Sequence, residues 1–318
     1  MEHSSTLPEE QILITNDSSF TNKINTIKQN QKQTIIVSDF DYTFSQAYIS
    51  PTSKTKMYSS YCFIENSTII NTLNPNFREE LANIANTYSG YERDTSLEFN
   101  KRKELVRTWF QLAFELYAKQ GFHKDDIYKM VTEVMNVPNN VNFAFRDGIK
   151  EMFETSLSFK IPVVIISGGI KEVIVILLQV LLGNNLYTQL IQNKLLIILA
   201  NSFSYDSSTL IVNGYDNPFI YTFNKSEYVA NAIKNELSLD SENINIIVIG
   251  DHLNDYDSIT QCNCPNVIGI GFVNYNNHPN TKEYNDLITQ YQSVYDVNLI
   301  NNSSFKYITS LLRKLKNN

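Results

Sequence analysis

Apolar positions along the chain follow two rhythms. Short unbroken apolar runs at 34–37, 161–166, 195–199, 209–212, 244–249 and 267–272 predict buried strands. Elsewhere the spacing is helical. Phe77, Leu81, Ile84, Ala85 and Tyr88 recur at i, i+4, i+7, i+8 and i+11, closed by Gly90, and predict a helix over 76–88. Leu105, Val106, Trp109, Leu112, Ala113, Leu116 and Tyr117 predict another over 97–119, and a third covers 124–135, stopped by Pro138. From Arg146 helices over 147–159, 170–182, 225–237 and 303–316 alternate with the strands. The helix over 170–182 is apolar on nearly every side and is expected to be buried. Residues 1–30 read as a polar lead-in with one short helix, and 46–75 show no clear period. This alternation, with near-continuous apolar strands, predicts an α/β protein with a doubly wound, mostly parallel sheet. A sheet-forming core over 1–46 and 145–318 would then be interrupted by a helical insertion over 47–144.

Charge sharpens the division. The chain of 318 residues has a formal charge of −7, yet 47–144 carries 11 basic and 11 acidic residues. The whole acidic surplus therefore lies in the sheet-forming part. An acidic chain is a poor non-specific partner for nucleic acid, and one that binds an anionic substrate needs a metal cation or local lysines. The polar start MEHSSTLPEEQILIT does not read as a signal peptide, and the longest apolar run, 173–182, is too short to cross a bilayer. Three cysteines, Cys62, Cys262 and Cys264, show no disulfide or zinc spacing. The expectation is a cytoplasmic protein without a membrane anchor.

Candidate chemistry sits at strand ends. The run 34–37 ends in Ser38-Asp39-Phe40-Asp41-Tyr42-Thr43. Two carboxylates this close repel unless a cation lies between them, and such a pair suits phosphoryl transfer, one as nucleophile and one as general acid. The run 161–166 leads into Ser167-Gly168-Gly169 and a helix start, a combination that suits an anion. Lys225 opens the next helix. The run 246–249 leads through Gly250 to Asp251 and Asp255, an arrangement suited to Mg2+. His252 is not expected as a ligand, and His123 and His278 are expected to be solvated. Lys101, Arg102, Lys103 and Arg107 read as a solvent-facing surface, and Trp109 fits either a nucleobase or the core.

In this order the motifs match those of haloacid dehalogenase-like phosphohydrolases. The chain resembles one branch in particular, the type III cytosolic (pyrimidine) 5′-nucleotidases. The resemblance rests on Asp39 to Ser45, on Tyr88 to Asp94 with Glu92, on Trp109, on Ser167 to Ile170, on Phe223-Asn224-Lys225 and on Val294-Tyr295-Asp296. It implies a Rossmann-like core with a helical cap over 47–144, and hydrolysis of nucleoside monophosphates such as CMP, UMP or 7-methyl-GMP by a monomer. It also implies Mg2+ held by Asp39, the Asp41 carbonyl and Asp251, with Asp255 just outside. Asp39 would be the nucleophile and Asp41 the acid and base. Ser167, Gly168 and Lys225 would hold the phosphoryl group, and Glu92 would read the base. Tyr42, Gly168 and Ala113 depart from the branch, which usually has methionine, alanine and serine there. The motifs leave open a phosphatase for another small ester such as phosphoserine, and a phosphate-binding module without catalysis.

Overall fold

The computed structural model describes residues 11–30, 32–50, 53, 55–136, 142–275, 281–301 and 303–316. His278 and Pro138 lie outside the described residues. In chain order the elements begin with β1 (Ile12–Ile14), α1 (Asp17–Asn30) and β2 (Gln33–Ser38). A helical layer follows: α2 (Cys62–Glu65), α3 (Thr68–Leu73), α4 (Phe77–Tyr88), α5 (Phe99–Ala118) and α6 (Lys124–Met135). The chain then forms α7 (Ile149–Phe159), β3 (Val163–Ile170), α8 (Lys171–Gln192), β4 (Leu196–Asn201), β5 (Phe203–Tyr205) and β6 (Val212–Tyr215). It ends with α9 (Lys225–Asn235), β7 (Ile244–Gly250), β8 (Asn266–Val273), α10 (Lys282–Gln292), β9 (Val297–Ile300) and α11 (Lys306–Lys316).

Seven strands form one sheet in the order β1-β9-β8-β7-β2-β3-β4, parallel except for β1. Side-chain alternation divides its two faces. Ile36, Val163, Ile165, Ile247 and Ile249 pack with α1, α7, α8 and α11, whereas Ile35, Val37, Val164, Ile166, Ile246 and Val248 pack with α9 and the turn after β7. The doubly wound, mostly parallel sheet is as the sequence predicts. Parallel register aligns Ser38 with Ile165 on one side and Ile249 on the other. The C-terminal ends of β2, β3 and β7 therefore open side by side, where the chain switches from building outward on one flank to the other. That crevice is where α/β sheets bind ligands.

Several local expectations differ from the structure. Residues 17–30 form a helix of 14 residues whose Phe20, Ile24 and Ile27 enter the core at i, i+4 and i+7. β1, β9 and α10 were not predicted. β1 has three residues at the sheet edge, β9 carries Asn298 in its middle, and α10 buries only Tyr291. The run 209–212 is not a sheet strand; β6 starts at Val212 and pairs antiparallel with β5 in a separate hairpin. That hairpin packs on the helical layer. Phe203 and Tyr215 contact Phe114, and His123 bridges Ile211. Helix α8 is longer than predicted and, by length and composition, apolar enough to cross a membrane. Gly183, at φ +74°, breaks its helical path, and Val180 and Ile191 are exposed while Val173, Ile174, Leu177, Leu178, Leu182 and Leu190 are buried. Only one stripe of α8 packs in the core.

Candidate active site

Asp39 follows β2 directly, its N–H donating to the Ile249 carbonyl at 3.0 Å. The backbone ladder thus carries the carboxylate to the open end of the sheet. Lys225, the first residue of α9, reaches it from the opposite side. Its Nζ donates to Asp39 Oδ1 at 2.7 Å and to Asp255 Oδ1 at 2.8 Å, and all three side chains are buried. Burial alone would lower the Lys225 pKa, but Asp255 and Asp39 raise it, so the ammonium stays charged.

Asp255 has both oxygens engaged. Its Oδ2 accepts from the N–H groups of Asp251 and His252, at 3.2 and 2.9 Å, which closes the turn after β7. Gly250 permits this, because a Cβ there would lie 2.3 Å from Asp255 Cβ. His252 caps the same turn, its Nδ1 accepting from the Asn254 N–H at 3.3 Å, and burial lowers its pKa. Its Nδ1 faces backbone.

Asp251 lies at the end of β7 with its carboxylate held by two donors, Thr43 Oγ1 at 3.4 Å and Asn274 Nδ2 at 3.2 Å. Burial, with Asp255 nearby, pushes it up to about 7. Burial likewise holds Asp39 above the usual carboxylate range despite Lys225. Asp39, Asp251 and Asp255 bring ligand oxygens within 4.8 Å of one another. Besides Lys225, which bonds two of these carboxylates, Lys56 and the Arg146 guanidinium act on Asp251. A cluster of hard carboxylate oxygens is a donor set that fits a divalent cation such as Mg2+.

Asp41 is not one of these three and has a partner of its own. Ser60, from the aperiodic stretch before α2, donates its N–H to Oδ1 and its hydroxyl to Oδ2, each at 2.7 Å. Burial raises the Asp41 pKa and these two bonds lower it.

Ser167, Gly168 and Gly169 lie inside β3, whose register is irregular between Ile166 and Ile170, and not in a turn opening a helix. Helix α8 begins only at Lys171, so the backbone groups beside Ser167 are those of a strand end. Ser167 Oγ accepts from the Gly169 N–H at 3.0 Å. Gly168 is hemmed in: a Cβ would meet Phe110 Cε1 at 2.9 Å, and its carbonyl accepts from Tyr61 Oη and from Asn201 Nδ2. At Gly169 a Cβ would lie 2.2 Å from Ser60 Oγ, which accounts for the second glycine.

Glu92, at the end of the short helical turn Ser89–Glu92, is half-buried and accepts a hydrogen bond from Thr222 Oγ1. Thr222 lies three residues before Lys225. An aromatic seam surrounds this junction: Tyr91, Trp109 and Phe110 pack with Phe219, Tyr221 and Phe223. Trp109 sits edge-on to Phe110 at 5.5 Å, half-buried. Arg102 does not simply face solvent, because its guanidinium lies 5.0 Å from the Phe223 ring centre. Nor is His123 idle, since its Nδ1 accepts from the Asp125 N–H and caps α6. Cys264 Sγ donates to the Ile244 carbonyl at 3.2 Å.

The pyrimidine 5′-nucleotidase (UMPH-1) family matches residues 42–316. The chain belongs to this family. The match separates the nucleotidase reading from the phosphoserine reading, which the motifs left open. It begins just after Asp41, so Asp39 and Asp41 stand on the geometry described above. Among curated relatives, a 7-methylguanosine phosphate-specific 5′-nucleotidase of Gallus gallus is 23% identical over 281 residues, covering 87% of this chain and 86% of the relative. A putative cytosolic 5′-nucleotidase 3 of Caenorhabditis elegans is 25% identical over 303 residues, covering 92% and 72%. The crystal structure of a cytosolic 5′-nucleotidase IIIB bound to cytidine superposes with a TM-score of 0.76 at 21% identity, covering 98% of this chain and 95% of that one. The fold of this family member is thus shared over nearly its whole length.

The sequence did not single out Ser60, Thr222, Asn274 or Arg146. Ser60 lies in a stretch without period, and Asn274 and Arg146 follow or precede strands and helices with no motif around them. The one signal available was the pair of adjacent glycines 168 and 169, which requires close neighbours.

Proposed function

We propose that this family member is a Mg2+-dependent 5′-nucleotidase that hydrolyses nucleoside 5′-monophosphates in the cytosol, acting as a monomer. The reading rests on one arrangement: Lys225 bridging Asp39 and Asp255 beside Asp251, with Asp41 held by Ser60. Asp39 attacks phosphorus as the bond to the 5′-oxygen breaks, and Asp41 gives that oxygen its proton. Water then attacks the aspartyl-phosphate, Asp41 accepts the water's proton, and phosphate leaves with Asp39 restored. Lys225 and Ser167 hold the phosphoryl oxygens, and Lys225 offsets charge that builds on them. Asp39, the Asp41 carbonyl and Asp251 would hold Mg2+, which would offset the charge of the carboxylates and the phosphoryl group. Asp255 orients Lys225 and the turn after β7.

Residues 47–144 act as the cap, joined by the β5–β6 hairpin that packs on α5. Glu92 reads the base from the aromatic seam, where rings can stack on a nucleobase and a carboxylate can accept from an amino or imino group. The names of the relatives, a 7-methylguanosine phosphate-specific enzyme and a cytosolic one, support this substrate class and compartment. The test is phosphate release from CMP, UMP, 7-methyl-GMP and phosphoserine, with Mg2+ and with chelator. Turnover of a nucleotide that needs Mg2+ and falls by about three orders of magnitude or more in Asp39→Asn supports the reading. Turnover that survives Asp39→Asn, or that favours phosphoserine, would refute it.

A further inference from the structure

Arg146 is a guanidinium sealed inside the protein, 2% exposed, with no carboxylate in salt-bridge range among the described residues. Burying such a charge is costly, and burial pulls its pKa down to about 9 although Asp251 raises it. Its donors go to neutral acceptors. Nε donates to the Thr43 carbonyl at 2.9 Å. One terminal nitrogen donates to the carbonyls of Asn301 and Ser303, at 2.6 and 3.2 Å. The other donates to the Tyr42 carbonyl at 2.9 Å and to Asn274 Oδ1 at 2.8 Å. The Phe272 ring lies 4.1 Å from the guanidinium carbon. The group therefore clamps the loop after Asp41 to the ends of β8 and β9.

One of these bonds has a chemical consequence. A guanidinium only donates, so the amide atom of Asn274 that faces it must be the oxygen. The Asn274 NH2 is thereby turned the other way, toward the Tyr42 carbonyl at 3.1 Å and Asp251 Oδ2 at 3.2 Å. The second donor to Asp251, Thr43 Oγ1, sits on a residue whose carbonyl Arg146 also holds. Both contacts that aim the Asp251 carboxylate run back to Arg146.

We propose that Arg146 and Asn274 are positioning residues for the divalent-cation site: Arg146 fixes the amide of Asn274, and Asn274 aims Asp251 at the ion. This rests on the reading of Asp251 as a cation ligand. Groups that orient metal ligands typically contribute 10- to 100-fold in metal affinity. Without Arg146 the amide is free to rotate and present its oxygen to a carboxylate, so both residues act through one contact.

The experiment is direct Mn2+ binding to the full-length protein, followed by electron paramagnetic resonance of the free ion, beside Mg2+ activation of CMP hydrolysis. Asn274→Ala should weaken Mn2+ binding about 10- to 100-fold and shift the Mg2+ activation curve by a similar factor. The KM for CMP at saturating Mg2+ should stay within about twofold of wild type, because the substrate contacts are intact. Arg146→Lys, combined with Asn274→Ala, should add little to the loss seen in Asn274→Ala alone. Should Arg146→Lys fail to fold, Asn274→Ala and Asn274→Leu still decide the matter. Wild-type Mn2+ affinity in these Asn274 variants would overturn the relay while leaving the cation site in place. No Mn2+ binding by the wild-type protein would overturn the cation reading and the relay with it.

Discussion

Both carboxylate oxygens of Asp41 are held by a single residue, Ser60, through its N–H and its hydroxyl at 2.7 Å each. The contact joins the loop after β2 to the stretch that leads into the helical layer. Hydrogen bonds to the ionised form hold down a pKa that burial raises. Ser60→Ala should therefore shift the Asp41 ionisation upward and move the basic limb of the kcat profile to higher pH. It should lower kcat about tenfold by loosening the acid, with little change in KM. A kcat profile that keeps its position would show that Asp41 does not titrate in catalysis.

Lys225 is the one ammonium between two buried carboxylates. Lys225→Met leaves Asp39 and Asp255 facing each other unpaired, which should cost about 3–5 kcal/mol of stability without metal. Mg2+ should restore part of that loss, since a cation replaces the missing charge. Urea unfolding with chelator and with Mg2+ measures both. Equal stability of variant and wild type in chelator would mean that the ion pair is not formed.

The carboxyl of Asp251, pushed up to about 7, makes stability depend on pH with a definite sign. Between the ordinary aspartate value near 3.9 and about 7, the folded metal-free protein holds a proton that the unfolded chain has released. Stability of the metal-free protein should then fall as pH rises through this window, by up to about 1.4 kcal/mol per unit for this group. Asp41, Glu65 and Glu172, also raised by burial, act in the same direction. Mg2+ binds the ionised carboxylate, so the rise in Tm on adding Mg2+ should be larger at pH 7.5 than at pH 5. A rise that is the same at both values would place the cation away from Asp251.

Glu92→Gln should lower kcat/KM for CMP by about 1–3 kcal/mol, the scale of one good contact to a base edge. Hydrolysis of p-nitrophenyl phosphate should change little, since that ester does not reach the aromatic seam. The bond from Thr222 sets a competing outcome. If Glu92 serves only to tie the helical layer to the turn leading into Lys225, both substrates lose equally. Comparing Glu92→Gln with Thr222→Val separates reading the base from holding that tie.

The sheet, and the carboxylates and lysine gathered at one end of it, were legible because each relevant strand is an apolar run that stops abruptly. Ser167 occupies such a stop, Asp39 and Asp251 lie one residue past theirs, and Lys225 opens a helix after a short turn. What was not legible depends on contacts distant in sequence. Arg146 and Asn274 are 128 residues apart, and nothing near either of them marks a role. Ser60 is matched to Asp41 only when the helical layer folds back. β9 was hidden by the buried Asn298, whose amide donates to Thr15 Oγ1, whereas α10 carries a narrow apolar stripe, Tyr284, Leu287, Ile288 and Tyr291, on an otherwise polar helix. Arg146, Asn274 and Ser60 find their partners only in the tertiary structure, so local patterning does not mark them.

The β5–β6 hairpin means that the helical layer and the sheet are stitched together at two places along the chain, not one. The first is the pair of crossings around 46 and 145; the second is the excursion from Asn201 through Tyr215 and back to Lys225. Swinging the layer outward as a lid on a single hinge would tear Phe114 from Phe203 and Tyr215. If the hairpin travels with the layer instead, it pulls on the nine-residue tether that ends at Lys225. Opening the site and slackening its central ammonium would then be one motion, and the released product would leave a phosphate pocket that is already coming apart.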